Sequence, residues 1–125
     1  MRIHHALILV MTLVGMGCYD GLGQDPIICT DIFVYGLNVD VVDAATSAPL
    51  AEGATLTVIE GTYVETVTAS WDGRSMAAAG ERPGTYSVRV ERVGYRSWER
   101  SDVQISSDEC HVIPRSLEAR LVPTP

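Results

Sequence analysis

The chain has 125 residues, with 9 basic side chains, every one an arginine, against 16 acidic ones, for a net charge of −7. That length holds one compact domain and not two. The acidic balance repels nucleic acid and anionic lipid headgroups, so no nucleic-acid partner is expected, and the lack of lysine rules out any crosslink that needs a lysine side chain, such as an internal Lys-Asn isopeptide bond.

Met1 to His5 carry one firm positive charge, and the apolar run Ala6 to Val14 is too short to span a bilayer of about 30 Å, so residues 1–17 read as an export leader. Cys18 follows directly after the small stretch Gly15-Met16-Gly17. This arrangement resembles the lipobox of bacterial lipoproteins, in which the cysteine becomes the first mature residue and is acylated on its sulfur and amine. Gly15 stands where that family usually has a large aliphatic residue. The resemblance implies lipidation of Cys18 by fatty acyl chains such as palmitate. The protein would then be tied to a membrane of the bacterial cell envelope, on a periplasmic or surface face. Three acyl chains, at about 0.8 kcal/mol per buried CH₂, exceed what stable attachment requires. The other reading of the same residues is a secreted protein with a bare thiol.

Three cysteines in an exported chain leave one over, unless Cys18 is consumed by lipid. Cys29 and Cys110 then form the natural pair in an oxidising compartment, and a disulfide is expected between them, the alternative being two buried thiols. Neither has a Cys or His partner at zinc-ligand spacing. Cys110 and His111, as neighbours on a strand, would point to opposite faces, so no metal and no cofactor is expected.

Residues 18–29 read as a lipid-attached tether and 30–125 as the domain. From Asp31 the apolar period is two: Phe33, Tyr35, Leu37, Val39 and Val41 mark one long first strand. Ala44 to Pro49 turns the chain into a second strand, Ala54 to Ile59, which Glu60-Gly61 ends. Tyr63 to Thr68 reads as a third. Asp72-Gly73 is a two-residue hairpin signal of type I′, predicting that Arg74 to Ala79 returns as a fourth, although Ser75 to Gly80 is also the one alanine-rich, helix-like piece. Tyr86, Val88 and Val90 mark a fifth strand covered on one side. Tyr95 to Glu99 with Val103 to Ile105 read as one interrupted sixth strand, and Leu117, Ala119 and Leu121 as the last. About seven short strands predict an all-β, antiparallel or mixed β-sandwich. If its first and last strands run parallel as neighbours, their starts share one end and Cys29 comes near Cys110.

The stretch Val41-Val42-Asp43-Ala44-Ala45-Thr46-Ser47-Ala48-Pro49-Leu50-Ala51-Glu52-Gly53-Ala54-Thr55-Leu56-Thr57-Val58 resembles the opening of carboxypeptidase regulatory-like domains: strand, Asp, a Thr-Gly-x-Pro-Leu turn, Gly-Ala, strand. Gly84-Thr85-Tyr86-Ser87-Val88-Arg89-Val90 and Val93-Gly94-Tyr95 resemble the same family's Gly-x-Tyr strand and Gly-Tyr turn. Ser47 stands where the family often has Gly. The resemblance covers about residues 34–105 and implies a prealbumin-like β-sandwich acting as an accessory or cell-surface module, with no catalysis.

The search for reactive groups points the same way. His111 is the only histidine after the leader, and a Ser-His-Asp set would need Ser116 or Ser106 beside it, without any nucleophile-elbow pattern. Asp40 and Asp43, an odd number apart, face opposite sides of a strand, and Asp108-Glu109 falls in a loop. Trp71, beside a turn, and Trp98, between charged neighbours, are expected to be partly exposed. With Tyr63 and Tyr95 they would make a glycan- or peptide-binding face if the rings gathered. The sequence thus predicts a non-catalytic structural or interaction module, with the membrane as one partner and an envelope protein or a glycan as another.

Overall fold

Each stretch of period-two alternation folds as a strand, because alternate side chains of a pleated ribbon must all be buried or all be solvated. The computed structural model describes Gly23 and residues 25–125, so the leader and Cys18 lie outside the described residues. In chain order the strands are β1 (Tyr35–Asp43), β2 (Ala54–Glu60), β3 (Tyr63–Val67), β4 (Ser75–Gly80), β5 (Gly84–Arg92), β6 (Trp98–Ile105) and β7 (Arg115–Leu121). They form a three-stranded sheet, β4-β1-β7, and a four-stranded sheet, β3-β2-β5-β6. The fold is an all-β sandwich.

Leu37, Val39, Val41, Met76, Ala78, Ala119 and Leu121 from one sheet meet Leu56, Val58, Tyr86, Val88, Val90, Val103 and Ile105 from the other. Burying these faces, at about 25 cal/mol per Å², is the main drive for folding. β1 and β7 run parallel, with Leu37 opposite Arg115 and Asp43 opposite Leu121, while the other pairings are antiparallel. The starts of β1, β3, β5 and β7 and the ends of β2, β4 and β6 therefore share one end, the tether pole, where the chain enters. The loops β1–β2, β3–β4 and β5–β6 form the far pole.

Several expectations are corrected. The first strand begins at Tyr35 and not at Asp31, and Phe33 is 65% exposed. Its ring lies over Gly80, where a Cβ would have no room. Asp72-Gly73 does not close a β3–β4 hairpin: the two strands belong to different sheets, and β4 pairs with β1. A type I′ turn needs positive φ at both central residues, and only Gly73 has it, at 73°. Asp72 Oδ1 instead accepts from the Arg74 and Ser75 amides, capping a crossing between sheets. Ser75–Gly80 is a strand despite its alanines, because Met76 to Ala79 are all buried. Tyr95 precedes β6 and forms an isolated bridge with Pro123. The expected interruption of the sixth strand is a bulge, with Asp102 at φ 55° and a register shift opposite Tyr86 and Val88.

Candidate functional site

At the tether pole Cys29 and Cys110 form a disulfide, with a Cα separation of 5.3 Å across 81 positions. The parallel β1–β7 pair brings them together, since each cysteine lies a few residues before its strand. The next residue on each side continues the clasp. His111 Nε2 lies 3.1 Å from the Thr30 carbonyl and 3.3 Å from Thr30 Oγ1, and its Nδ1 lies 2.9 Å from Glu81 Oε1.

Glu81 is held at φ 47°, in the left-handed region where a non-glycine residue is strained by about 1 kcal/mol or more. Two hydrogen bonds fix it there: its amide donates to the Val34 carbonyl, and Val34 N donates to its Oε1. Burial pushes the Glu81 carboxyl up, but the Val34 amide and His111 outweigh it, leaving the group below the ordinary carboxylate value. Asp108 accepts from the His111 and Cys110 amides, and these bonds lower its own carboxyl.

Thr30, His111 and Glu81 thus follow the order hydroxyl, imidazole, carboxylate that nucleophilic hydrolases use. The geometry makes a clasp of it. His111 Nε2 meets both the carbonyl and the hydroxyl of Thr30, so the ring ties the entering segment to the loop that carries Glu81. The nearby Cys110 and His111 amides are already committed to Asp108 instead of forming an oxyanion site. Ser106 and Ser116, the nucleophiles weighed from sequence, are not His111's partners. Thr30 and Glu81 were missed there, although a Cys29–Cys110 bond places their followers, Thr30 and His111, side by side.

The far pole is built on aspartates. Asp43 Oδ1 accepts from the Ala45 and Thr46 amides, and Tyr95 donates to Oδ2 at 3.3 Å. The Thr46 and Ala45 amides hold this carboxyl below its ordinary value. Ser47, in the turn, sits at φ 60°. Asp40 points to the other face, as its odd spacing required, and pairs with Arg74 at 3.0 Å. The Gly94 and Val122 carbonyls take amides of Thr124 and Arg96, tying the chain's last residues to the β5–β6 loop.

The tryptophans do not gather. Trp71 is 65% exposed in the β3–β4 loop, whereas Trp98 is half-buried against the core, opposite Val90 on the inner face. Trp98 lies on the edge strand β6 of the four-stranded sheet, and Trp71 in the loop that leaves the opposite edge strand, β3, for the other sheet. Tyr63 and Tyr86 pack edge to face, with the Arg82 guanidinium 3.8 Å from the Tyr63 ring centre. A shallow groove of 330 Å³ beside Arg92, Val93 and Tyr95 lies at the far pole. A second, of 280 Å³, lies on the outer face of the same sheet around Arg89, which pairs with Glu99 at 2.6 Å.

Among the described residues no group of three or more His, Cys, Asp or Glu side chains is placed to hold a metal ion. In comparisons with known proteins, no family model matches the sequence and no curated protein is significantly similar to it.

Proposed function

We propose that the chain is a lipid-anchored envelope protein whose sandwich, of the carboxypeptidase regulatory-like kind, serves as a non-catalytic structural or protein-interaction module. The observation that carries this reading is the Cys29–Cys110 bond, which needs an oxidising compartment and fastens the sandwich eleven positions after Cys18. The regulatory-like reading is supported by the turn of Ser47, which adopts the left-handed conformation at the position where that family often has glycine. With the anchor at one pole, the β1–β2, β3–β4 and β5–β6 loops face away from the membrane, where a partner can reach them. The test is fractionation of the full chain and of Cys18→Ser, with mass analysis of the mature amino terminus. Membrane recovery with an acylated Cys18, and loss of both in the variant, is the expected result. A soluble wild-type protein with a bare Cys18 would overturn the anchor.

One observation favours a second reading, a glycan- or peptide-binding module. Trp71 presents its ring at the far pole with no core contact. A blue shift of tryptophan emission on adding envelope glycans, lost in Trp71→Phe, would select it.

A further inference from the structure

Five large apolar side chains stand out from the tether pole: Ile27, Ile28, Ile32, Phe33 and Ile113, each between 49% and 87% exposed. Single exposed hydrophobes are ordinary on any protein surface. These five lie in two short segments held together by one disulfide, since Ile27, Ile28, Ile32 and Phe33 flank Cys29 and Ile113 lies three residues past Cys110. The clasp of Glu81, His111 and Thr30 fixes the backbone between these isoleucines, at Thr30, against the β4–β5 and β6–β7 loops. Five exposed large apolar side chains within two segments joined at one pole are the kind of surface that marks a contact.

We propose that this pole rests on the bilayer itself, with the five side chains seated at the boundary of headgroups and acyl chains. The inference builds on the acylation of Cys18 proposed above. Ile27 is nine residues beyond Cys18, and an extended chain spans at most about 3.5 Å per residue. The pole is thus confined to within roughly 30 Å of the anchored sulfur, so lipid is the surface always in reach. Charge selects the kind of lipid. Asp25, Asp31, Asp108 and Glu109 lie on the same two segments as the apolar residues, and these carboxylates repel anionic headgroups, so the contact suits a zwitterionic surface and is insensitive to salt. Seating side chains at that depth fixes the orientation of the sandwich on the membrane, with Trp71 and Val93 directed outward.

The test reconstitutes the full mature chain into phosphatidylcholine liposomes containing a photoactivatable phosphatidylcholine, then maps lipid adducts by mass spectrometry. The mass of the amino terminus is read in the same sample. Adducts concentrated on residues 25–33 and on Ile113, absent from Trp71 and Val93, are expected. Ile27→Ser combined with Ile28→Ser and Ile113→Ser, all surface changes, should lower their yield on the order of tenfold with the melting curve retained. Adducts at this pole support the inference whether or not Cys18 carries acyl chains, the acylation being judged separately by the terminal mass. An acylated chain without such adducts overturns the inference and leaves the anchor standing. A bare chain without adducts overturns both. Crosslinks joining two copies through these isoleucines would assign the surface to self-association and overturn the lipid contact.

Discussion

The two poles of the sandwich are fastened by different chemistry. At the tether pole a covalent bond, a carboxylate-imidazole contact and a left-handed Glu81 hold the entering segment against two loops. At the far pole Asp43 and Asp72 cap turns through backbone amides, and main-chain bonds knit the loops to the chain's last residues. The tether pole closes contacts between residues some eighty positions apart, where loop-closure entropy is large and a crosslink contributes most. The far pole closes mainly short loops, for which a hydrogen-bonded side chain suffices. The strong fastening thus lies where the proposed anchor would pull.

The largest expected effect breaks the tether pole. Replacing Cys29 and Cys110 by Ser should cost about 4 kcal/mol, in line with a loop of 81 positions, read as a lower denaturant midpoint. Next come two glycines that separate steric from conformational demands. A Cβ on Gly36 would meet Ile105 Cγ2 at 2.7 Å and the Ala79 carbonyl at 2.9 Å, so Gly36→Ala should cost about 1–3 kcal/mol through overpacking near the tether pole. Gly94 has open space around it but φ of 85°, so Gly94→Ala should cost only about 1 kcal/mol, all of it backbone strain.

Acid should loosen both poles together. Asp43, Asp72 and Asp108, from an ordinary value of 3.8, and Glu60 and Glu81, from 4.5, are all lowered in the fold. The folded state therefore binds fewer protons than the unfolded chain. The stability these groups contribute is complete above their ordinary values and is lost as pH falls through the lowered ones. Melting temperatures should hold near neutrality and fall below about pH 4, and Asp43→Asn should flatten part of that decline.

The smallest effects concern the tryptophans. Trp71→Ala should change stability by no more than about 0.5 kcal/mol, as expected for an exposed loop residue. Trp98→Ala, which empties a half-buried contact at the core rim, should cost about 1–2 kcal/mol. In the unmodified protein acrylamide should quench Trp71 readily and Trp98 poorly.

What the sequence reveals here follows from the range of each signal. Period-two alternation is local, so the strands other than β4 are legible from it, from Val39 and Val41 in β1 to Ala119 and Leu121 in β7, while β4, buried on both faces, was read only from the Asp72-Gly73 turn before it. The disulfide was legible through cysteine parity, while the parallel β1–β7 pair that brings the two cysteines together entered only as a condition on it, because strand pairing is a long-range choice. The partner of β4 was not legible. Asp72-Gly73 reports a turn but not which sheet the next strand joins, and that choice sets Met76 and Ala78 beside Val39 and Leu37 of β1 on the inner face. Glu81 was invisible for the same reason: its role depends on Val34 and His111, thirty or more positions away in either direction. The tryptophans' separation depends on strand pairing, which sets Trp98 on edge strand β6 while Trp71 sits in the crossing from β3 to β4.

The most direct test of the stapled sandwich is a tryptic map of the protein isolated from its host under non-reducing conditions, alkylated and left unreduced. The chain has no lysine, so Cys29 falls in the peptide ending at Arg74 and Cys110 in the peptide Ser101 to Arg115. The account predicts that these two peptides run as one joined species that separates only on reduction. Recovery of both as separate, alkylated peptides from folded protein would contradict it.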